Sequence, residues 1–313
     1  MRWVTARPAG AAEDVVGVLV GDEVHVARGV SRLTDLLGDD GERLTAAGEQ
    51  AVADPAVVVP LSGLRLRPPV PRPPTIRDFY AFEQHVRTAR ERRGLEMDPL
   101  WYELPVFYFS NPYGVVGPAD PVAAPPGCAE LDFELEVAAV VGRAGSDIGA
   151  DAAEAHIAGY TIMNDWSARD LQRAEMRLNL GPAKGKDFAT SLGPWLVTPD
   201  ELTPHRAAKA FGLAMRASVN GKPYSEASLA DIHYSFGEMV AYASRGARVE
   251  PGDVIGSGTC GTGCILELSL VHGAEAYPWL VPGDVVELSV DGLGSLANPV
   301  VARGEEAISD QTG

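Results

Sequence analysis

The stretch Leu131-Asp132-Phe133-Glu134-Leu135-Glu136-Val137 alternates apolar and acidic residues strictly. On a strand that spacing puts Asp132, Glu134 and Glu136 on one face and the apolar residues on the other. The run continues into Val-Ala-Ala-Val-Val-Gly, which reads as buried. Carboxylates clustered inside a protein are costly unless they are protonated or neutralised by a cation. A further acid, Asp165, ends the apolar run Gly-Tyr-Thr-Ile-Met-Asn at a strand-to-helix junction, where its side chain can project into a cavity or cap the helix. An all-oxygen donor set suits magnesium, calcium or manganese rather than zinc. A solvated acidic face is the plainer reading of the same strand.

These residues need a frame, and the chain predicts a strand-dominated α+β one. Residues 1–66 read as a small β-rich module: Val-Val-Gly-Val-Leu-Val-Gly and Glu-Val-His-Val-Ala form strands around a Gly-Asp turn, and Ser-Arg-Leu-Thr-Asp-Leu-Leu-Gly a helical segment. Residues 67–76 are too proline-dense for a helix interior or a central strand and read as a linker. The main domain is assigned to residues 77–313. Within it the stretch from Asp78 to Gly94 reads as a helix whose arginines lie toward its C-terminus. Two more helices are predicted, one over Asp151 to His156 and one from Ser167, as cap, through Met176. Leu-Pro-Val-Phe-Tyr-Phe, Pro-Trp-Leu-Val-Thr, Gly-Cys-Ile-Leu-Glu-Leu-Ser-Leu and Asp-Val-Val-Glu-Leu-Ser-Val join the runs above as strands.

Several elements occur in a fixed order: Asp78-Phe79-Tyr80 with His85, then Leu131 to Val137, then Asn164-Asp165-Trp166-Ser167-Ala168-Arg169-Asp170. Gly185-Lys186-Asp187-Phe188 and Gly256-Ser257-Gly258-Thr259 follow. Together they resemble the signature of the fumarylacetoacetate hydrolase family, over residues from about 75 to 300 and only weakly in the N-terminal module. The resemblance implies that family's mixed β-sandwich or β-roll with a metal at its mouth, and a homodimer. It implies that Asp78, Glu134, Glu136 and Asp165 bind the divalent metal, magnesium first, with calcium or manganese as alternatives. Asp132 has no such role in the family and is expected behind the ligands or in solvent.

The resemblance also implies a base. His85 would activate water, with Glu267 of Ile265-Leu266-Glu267-Leu268 holding the imidazole in one tautomer and stabilising the imidazolium. Taken alone, His85 is an ordinary surface or core histidine and Glu267 an unexplained acid in an apolar strand. Arg169 and Gln172, three apart on one helix face, and Lys186 from the next loop match the groups that stabilise an oxyanion in family enzymes that hydrolyse carbon-carbon bonds. Tyr80, Tyr108 and Thr259 match substrate-contacting positions. One arginine of Arg87, Arg90, Arg92 and Arg93 is expected to bind a carboxylate from a lid. Met176 stands where the family archetype has a substrate-contacting tyrosine.

The bulk numbers set the remaining limits. The chain has 313 residues, is 46% hydrophobic and 22% charged, and carries a net charge of -17, which disfavours nucleic acid and anionic membranes as partners. No run approaches the roughly 20 apolar residues of a membrane span, the N-terminus does not read as a signal peptide, and reduced thiols point to the cytoplasm. Cys260 and Cys264 form no CxxC pair, and no histidine is evident beside them, which disfavours zinc and cysteine nucleophiles. Gly256-x-Gly258-x-x-Gly261 fits a dinucleotide motif but precedes a strand-like run rather than a helix. The expected activity is hydrolysis of a carbon-carbon bond in a small 1,3-dicarbonyl carboxylate. Decarboxylation or isomerisation of 2-oxo or hydroxymuconate-type diacids on the same metal site is the alternative, and a non-catalytic binding protein a more distant one.

Overall fold

A computed structural model of the chain describes residues 1–91 and 94–304. The principal strands are β1 (Arg2–Pro8), β2 (Val15–Val20), β3 (Glu23–Val26), β4 (Val58–Pro60), β5 (Ile76–Phe79), β6 (Phe107–Ser110) and β7 (Leu135–Val141). They continue with β8 (Ile157–Asp165), β9 (Thr190–Val197), β10 (Ala214–Val219), β11 (Lys222–Ser228), β12 (Val254–Gly256), β13 (Val285–Val290) and β14 (Gly294–Val301). The helices that matter below are α1 (Glu42–Ala53), α2 (Glu83–Glu91), α3 (Arg169–Met176), α4 (Phe236–Ser244) and α5 (Ile265–His272).

A large mixed sheet runs β4-β3-β2-β1-β9-β8-β7-β12-β5-β6, and a smaller one runs β11-β10-β13-β14 with a short strand at its end. Strand β7 explains how the two layers hold together. Its odd residues Leu135, Val137, Ala139 and Val141 join a core with Met215, Ala217, Leu288 and Leu296 of the smaller sheet. Its even residues Ala138 and Val140 pack with Trp3, Val16 and Leu192 on the other side. A strand covered on both faces reads as a nearly continuous apolar run, which Leu135–Val141 is apart from Glu136.

The N-terminal strands extend the large sheet. Strand β1 pairs antiparallel with β9 through Arg2 opposite Val197 and Trp3 opposite Leu196, and Trp3 shares a core cluster with Met163 and Leu192. The proline-dense residues 67–75 adopt neither helix nor strand. They lie against β1, where Thr5 Oγ1 donates to the Pro69 carbonyl at 3.2 Å.

Four local expectations change. Asp78 lies on a strand: β5 is wedged between β12 and β6, all four of its residues are buried, and the helix starts only at Glu83. Sheet pairing outweighs the helical pattern there. Ile265–His272 is a helix and not a strand; an apolar run covered on most sides carries no period by which to tell the two apart. Ser167 does not cap α3: it pairs with Asp132 in a two-residue strand, and the cap position is Ala168, without a side-chain bond. The helix predicted near Asp151 is present as Ala150–Ala153 followed by a 3₁₀ turn, whereas Leu33–Leu36 is only a 3₁₀ turn.

Candidate metal centre and active site

Strand register brings the acids together. Leu135 lies opposite Asn164 on β8, which sets Glu134 beside Asp165. Ala138 of β7 pairs with Gly256 of β12, and Gly256 pairs with Asp78 of β5. A Cβ on Gly256 would stand 2.4 Å from Asp78 Oδ1, so glycine is required for that carboxylate to lie over the neighbouring strand. Asp78, Glu134, Glu136 and Asp165 are all buried, and one oxygen from each lies within 4.8 Å of the others. The alternating stretch is not one strand. Leu131–Asp132 pairs with Ser167–Ala168 in a separate two-stranded sheet, and β7 starts only at Leu135; Glu134 and Glu136 enter the cluster while Asp132 does not. Asp132 is fully buried, not solvated, and pairs with Arg169 Nε at 2.8 Å.

Lys186 is the cation of the cluster. Its Nζ donates to Glu134 Oε2 at 2.6 Å and to Asp165 Oδ2. The Tyr108 hydroxyl also donates to Asp165 Oδ2, and Gly258 N–H donates to Asp78 Oδ1 at 3.2 Å and Glu136 Oε2 at 3.1 Å. Arg169 Nη2 lies 2.7 Å from Glu134 Oε1, an ion-pair contact without hydrogen-bond alignment. Glu136 Oε1 and Asp165 Oδ1 are buried with no partner.

Protonation follows from these contacts. Burial, then the neighbouring acids, pushes Asp78 and Glu136 well above the ordinary carboxylate range. Burial lifts Asp165 to about 6 even with Lys186 beside it. Burial acts on Glu134 in the same sense, yet Lys186, Arg169 and, more weakly, His85 hold it far below the usual value. Four acids face one lysine and a shared arginine, too few cations to let all of them ionise, and two of their oxygens are orphaned. That donor set fits a hard divalent cation, and Asp78, Glu134, Glu136 and Asp165 would hold it.

His85 and Glu267 meet beside the acidic cluster. Nδ1 of His85, on α2, lies 2.9 Å from Glu267 Oε2 on the first turn of α5, and both side chains are buried. The loop before α5 ties this pair to the acids: Leu135 N–H bonds the Gly263 carbonyl at 2.8 Å, Cys260 N–H bonds the Leu135 carbonyl at 3.1 Å, and Glu134 bridges to Cys264. Cys264 does have a histidine nearby, since its sulfur lies within 4.8 Å of the His85 and Glu267 ligand atoms. It nevertheless caps α5, accepting the Glu267 N–H, and burial pushes its thiol well up, away from a nucleophilic thiolate.

The other predicted residues fall around this centre. Gln172 Oε1 accepts from Arg169 Nη1 at 3.1 Å. Gly185 brings the Lys186 loop against α3, where a Cβ would meet the Gln172 backbone at 2.8 Å. The Tyr80 ring stands edge-on to His85 at 5.8 Å, and Thr259 is buried beside Gly258. Arg87 pairs with Glu83, and Arg90 Nε donates to the Glu96 carbonyl at 2.7 Å. Arg92 and Arg93 lie outside the described residues. Gly256-x-Gly258-x-x-Gly261 does precede a helix, against the sequence reading, but its glycines are spent on close packing. Added Cβ atoms at Gly258 and Gly261 would stand 2.5 Å from the Phe79 carbonyl and 2.4 Å from the Gln84 side chain.

Residues 75–301 match the family model described as fumarylacetoacetate (FAA) hydrolase C-terminal. The chain belongs to the fumarylacetoacetate hydrolase family, whose fold its strand-dominated α+β architecture shares. A solved fumarylacetoacetate hydrolase from Exiguobacterium antarcticum superposes with a TM-score of 0.76 at 27% identity, over 97% of this chain and 100% of that one. The fumarylacetoacetase of Bos taurus is 32% identical over 242 residues, 61% of this chain and 58% of its own. The oxaloacetate tautomerase YisK of Bacillus subtilis is 30% identical over 243 residues, 77% of this chain and 74% of its own. The chain thus spans less than two thirds of the bovine enzyme, and its relatives include both hydrolases and tautomerases. Among the described residues no helix is long and apolar enough to cross a membrane.

Proposed function

We propose that this chain hydrolyses a carbon-carbon bond in a small 1,3-dicarbonyl carboxylate, with a divalent cation, magnesium first, held by Asp78, Glu134, Glu136 and Asp165. The observation that carries this reading is the buried His85–Glu267 pair at 2.9 Å, tied by backbone bonds to the acidic cluster. Glu267 accepts at Nδ1, which fixes the tautomer and leaves Nε2 to take a proton from water. The water oxygen then adds to a substrate carbonyl. When bound, the cation supplies Lewis-acid polarisation of the substrate's oxygens. Arg169, oriented by Gln172, and the third N–H of Lys186, beyond those given to Glu134 and Asp165, stabilise the oxyanion. As that oxyanion collapses, the carbon-carbon bond breaks, and His85 returns its proton to the leaving carbon. Tyr80 and Thr259 line the substrate side, and two copies of the chain assemble in the cytoplasm.

Proton transfer at carbon is the second reading, favoured by the similarity to the tautomerase, which covers more of this chain than the match to the bovine hydrolase does. The same histidine would then exchange a substrate C–H proton without adding water. Acylpyruvates, fumarylacetoacetate and oxo-diacids incubated with chelator-treated and magnesium-restored enzyme separate the two by product mass. Two fragments formed only with metal support hydrolysis, and a product of unchanged mass overturns it. Glu267→Gln should lower kcat by about 10²–10⁴-fold with divalent affinity intact by calorimetry; unchanged kcat removes the base pair from the mechanism.

A further inference from the structure

Asp132 stays out of the acidic cluster, yet neither of its oxygens is idle. Oδ1 accepts the N–H groups of Phe133 at 2.8 Å and Ile265 at 2.7 Å. Oδ2 accepts Leu266 N–H at 3.0 Å and Arg169 Nε at 2.8 Å. Ile265 and Leu266 open α5, and the next N–H, that of Glu267, goes to Cys264 Sγ at 3.4 Å. The first three N–H groups of the helix are therefore all met by side chains, two of them by an acid 133 and 134 residues away in the chain. A carboxylate at a helix N-terminus is favourable in itself, but a local serine or aspartate would do that work. What only Asp132 can do is join that terminus to Arg169, whose guanidinium continues to Gln172 and Glu134.

We infer that Asp132 is a positioning residue, one carboxylate that holds the first turn of α5, and so aims Glu267 at His85, while fixing the guanidinium of Arg169 on the substrate side. Its full burial and its four accepted bonds keep it from touching substrate. The inference rests on His85 and Glu267 being the base pair. A buried ion pair is weak grounds for stability alone, because an apolar pair of similar shape often does as well. Registry between two parts of a site is the better account of its retention here.

Asp132→Asn keeps the shape and the Oδ1 acceptor but sets an NH₂ against two donors, Leu266 N–H and Arg169 Nε. It should lower kcat about 100-fold with KM within about threefold. In the Glu267→Gln background the same change should cost less than about tenfold, because one of the two groups it positions is already disabled. The Nδ1 proton of His85, observed by nuclear magnetic resonance in the bond to Glu267, should shift in Asp132→Asn and be lost in Glu267→Gln. Wild-type kcat in Asp132→Asn, an unmoved resonance, or losses that multiply in the double variant each overturn the inference and leave the base pair standing. Wild-type kcat in Glu267→Gln overturns both. Should Asp132→Asn fail to fold, Asp132→Ser, with one acceptor for the helix and no reach to Arg169, is read by the same resonance and the same cycle.

Discussion

Arg77 and Asp78 are neighbours on β5, point to opposite faces, and are equally buried, at 5% and 3% exposure. Their surroundings are opposites. Arg77 faces a single acid, Asp253, at 3.0 Å, and donates also to Thr75 Oγ1 at 2.9 Å. Its guanidinium stands 5.3 Å from the Phe109 ring centre. Asp253 in turn accepts from Thr75 Oγ1 and Glu250 N–H. Charge is matched one to one, and the neighbours complete the hydrogen bonding. Asp78 receives one long backbone bond and lies among three other acids. A buried charge that serves the fold is closed by its partners, whereas one that serves a ligand leaves capacity unused.

Substitution should bring out the contrast. Arg77→Met leaves Asp253 buried and unpaired, so the folded state should lose about 3–5 kcal/mol in denaturant unfolding, with divalent affinity unchanged in the folded protein. A loss under about 1 kcal/mol would place the two charges in one class. Asp78→Asn should do the reverse. The amide copies the neutral acid that burial already favours, so the chelator-treated protein should stay within about 1 kcal/mol of wild type or gain stability. Divalent affinity by calorimetry should fall at least about 100-fold, or about 2.7 kcal/mol.

The smallest effect is in pH. Asp78, Glu136 and Asp165 sit above their open-chain values in the fold, so each stabilises the metal-free protein at low pH and ceases to do so as pH rises through its folded value. For Asp165 that interval runs from about 4 to about 6. Glu134, held low, acts in the opposite sense and below the ordinary carboxylate range. The melting midpoint of chelator-treated protein should fall by about 3 °C across the Asp165 interval, and saturating magnesium should flatten the slope by binding the ionised form. A midpoint that rises over the interval would show these acids to be ordinary paired carboxylates.

Three of the four acids were legible locally, Glu134 and Glu136 from alternation on a strand and Asp165 from the apolar run it ends, whereas Asp78 was reached only through the family resemblance. The strand Val285–Val290 was legible from its alternation, and Ile157–Asp165 from its continuous apolar run. Asp132 lies behind the ligands, one of the two places expected for it, but which one could not be read because its partner Arg169, 37 residues away, leaves no trace in local spacing. Helix α5 read as a strand because Ile-Leu-Glu-Leu-Ser-Leu-Val has no polar face to mark a turn. Helix α1 escaped notice since only Leu44, Gly48 and Ala51 are buried, too thin a stripe to stand out. The bonds of Lys186 to Glu134 and Asp165 are likewise a matter of reach through space that residue type does not encode.

The place of β1 in the sheet bears on how the chain is made. On its inner edge Ala6–Pro8 pair with Leu64–Leu66, but Arg2 and Trp3 are met only by Leu196 and Val197, so during synthesis those two positions wait until that later strand has left the ribosome. Pairing across such a sequence separation is slow, and an open edge held that long invites association with other nascent chains. Expression yield should therefore depend on chaperone supply more than the stability of the finished protein would indicate.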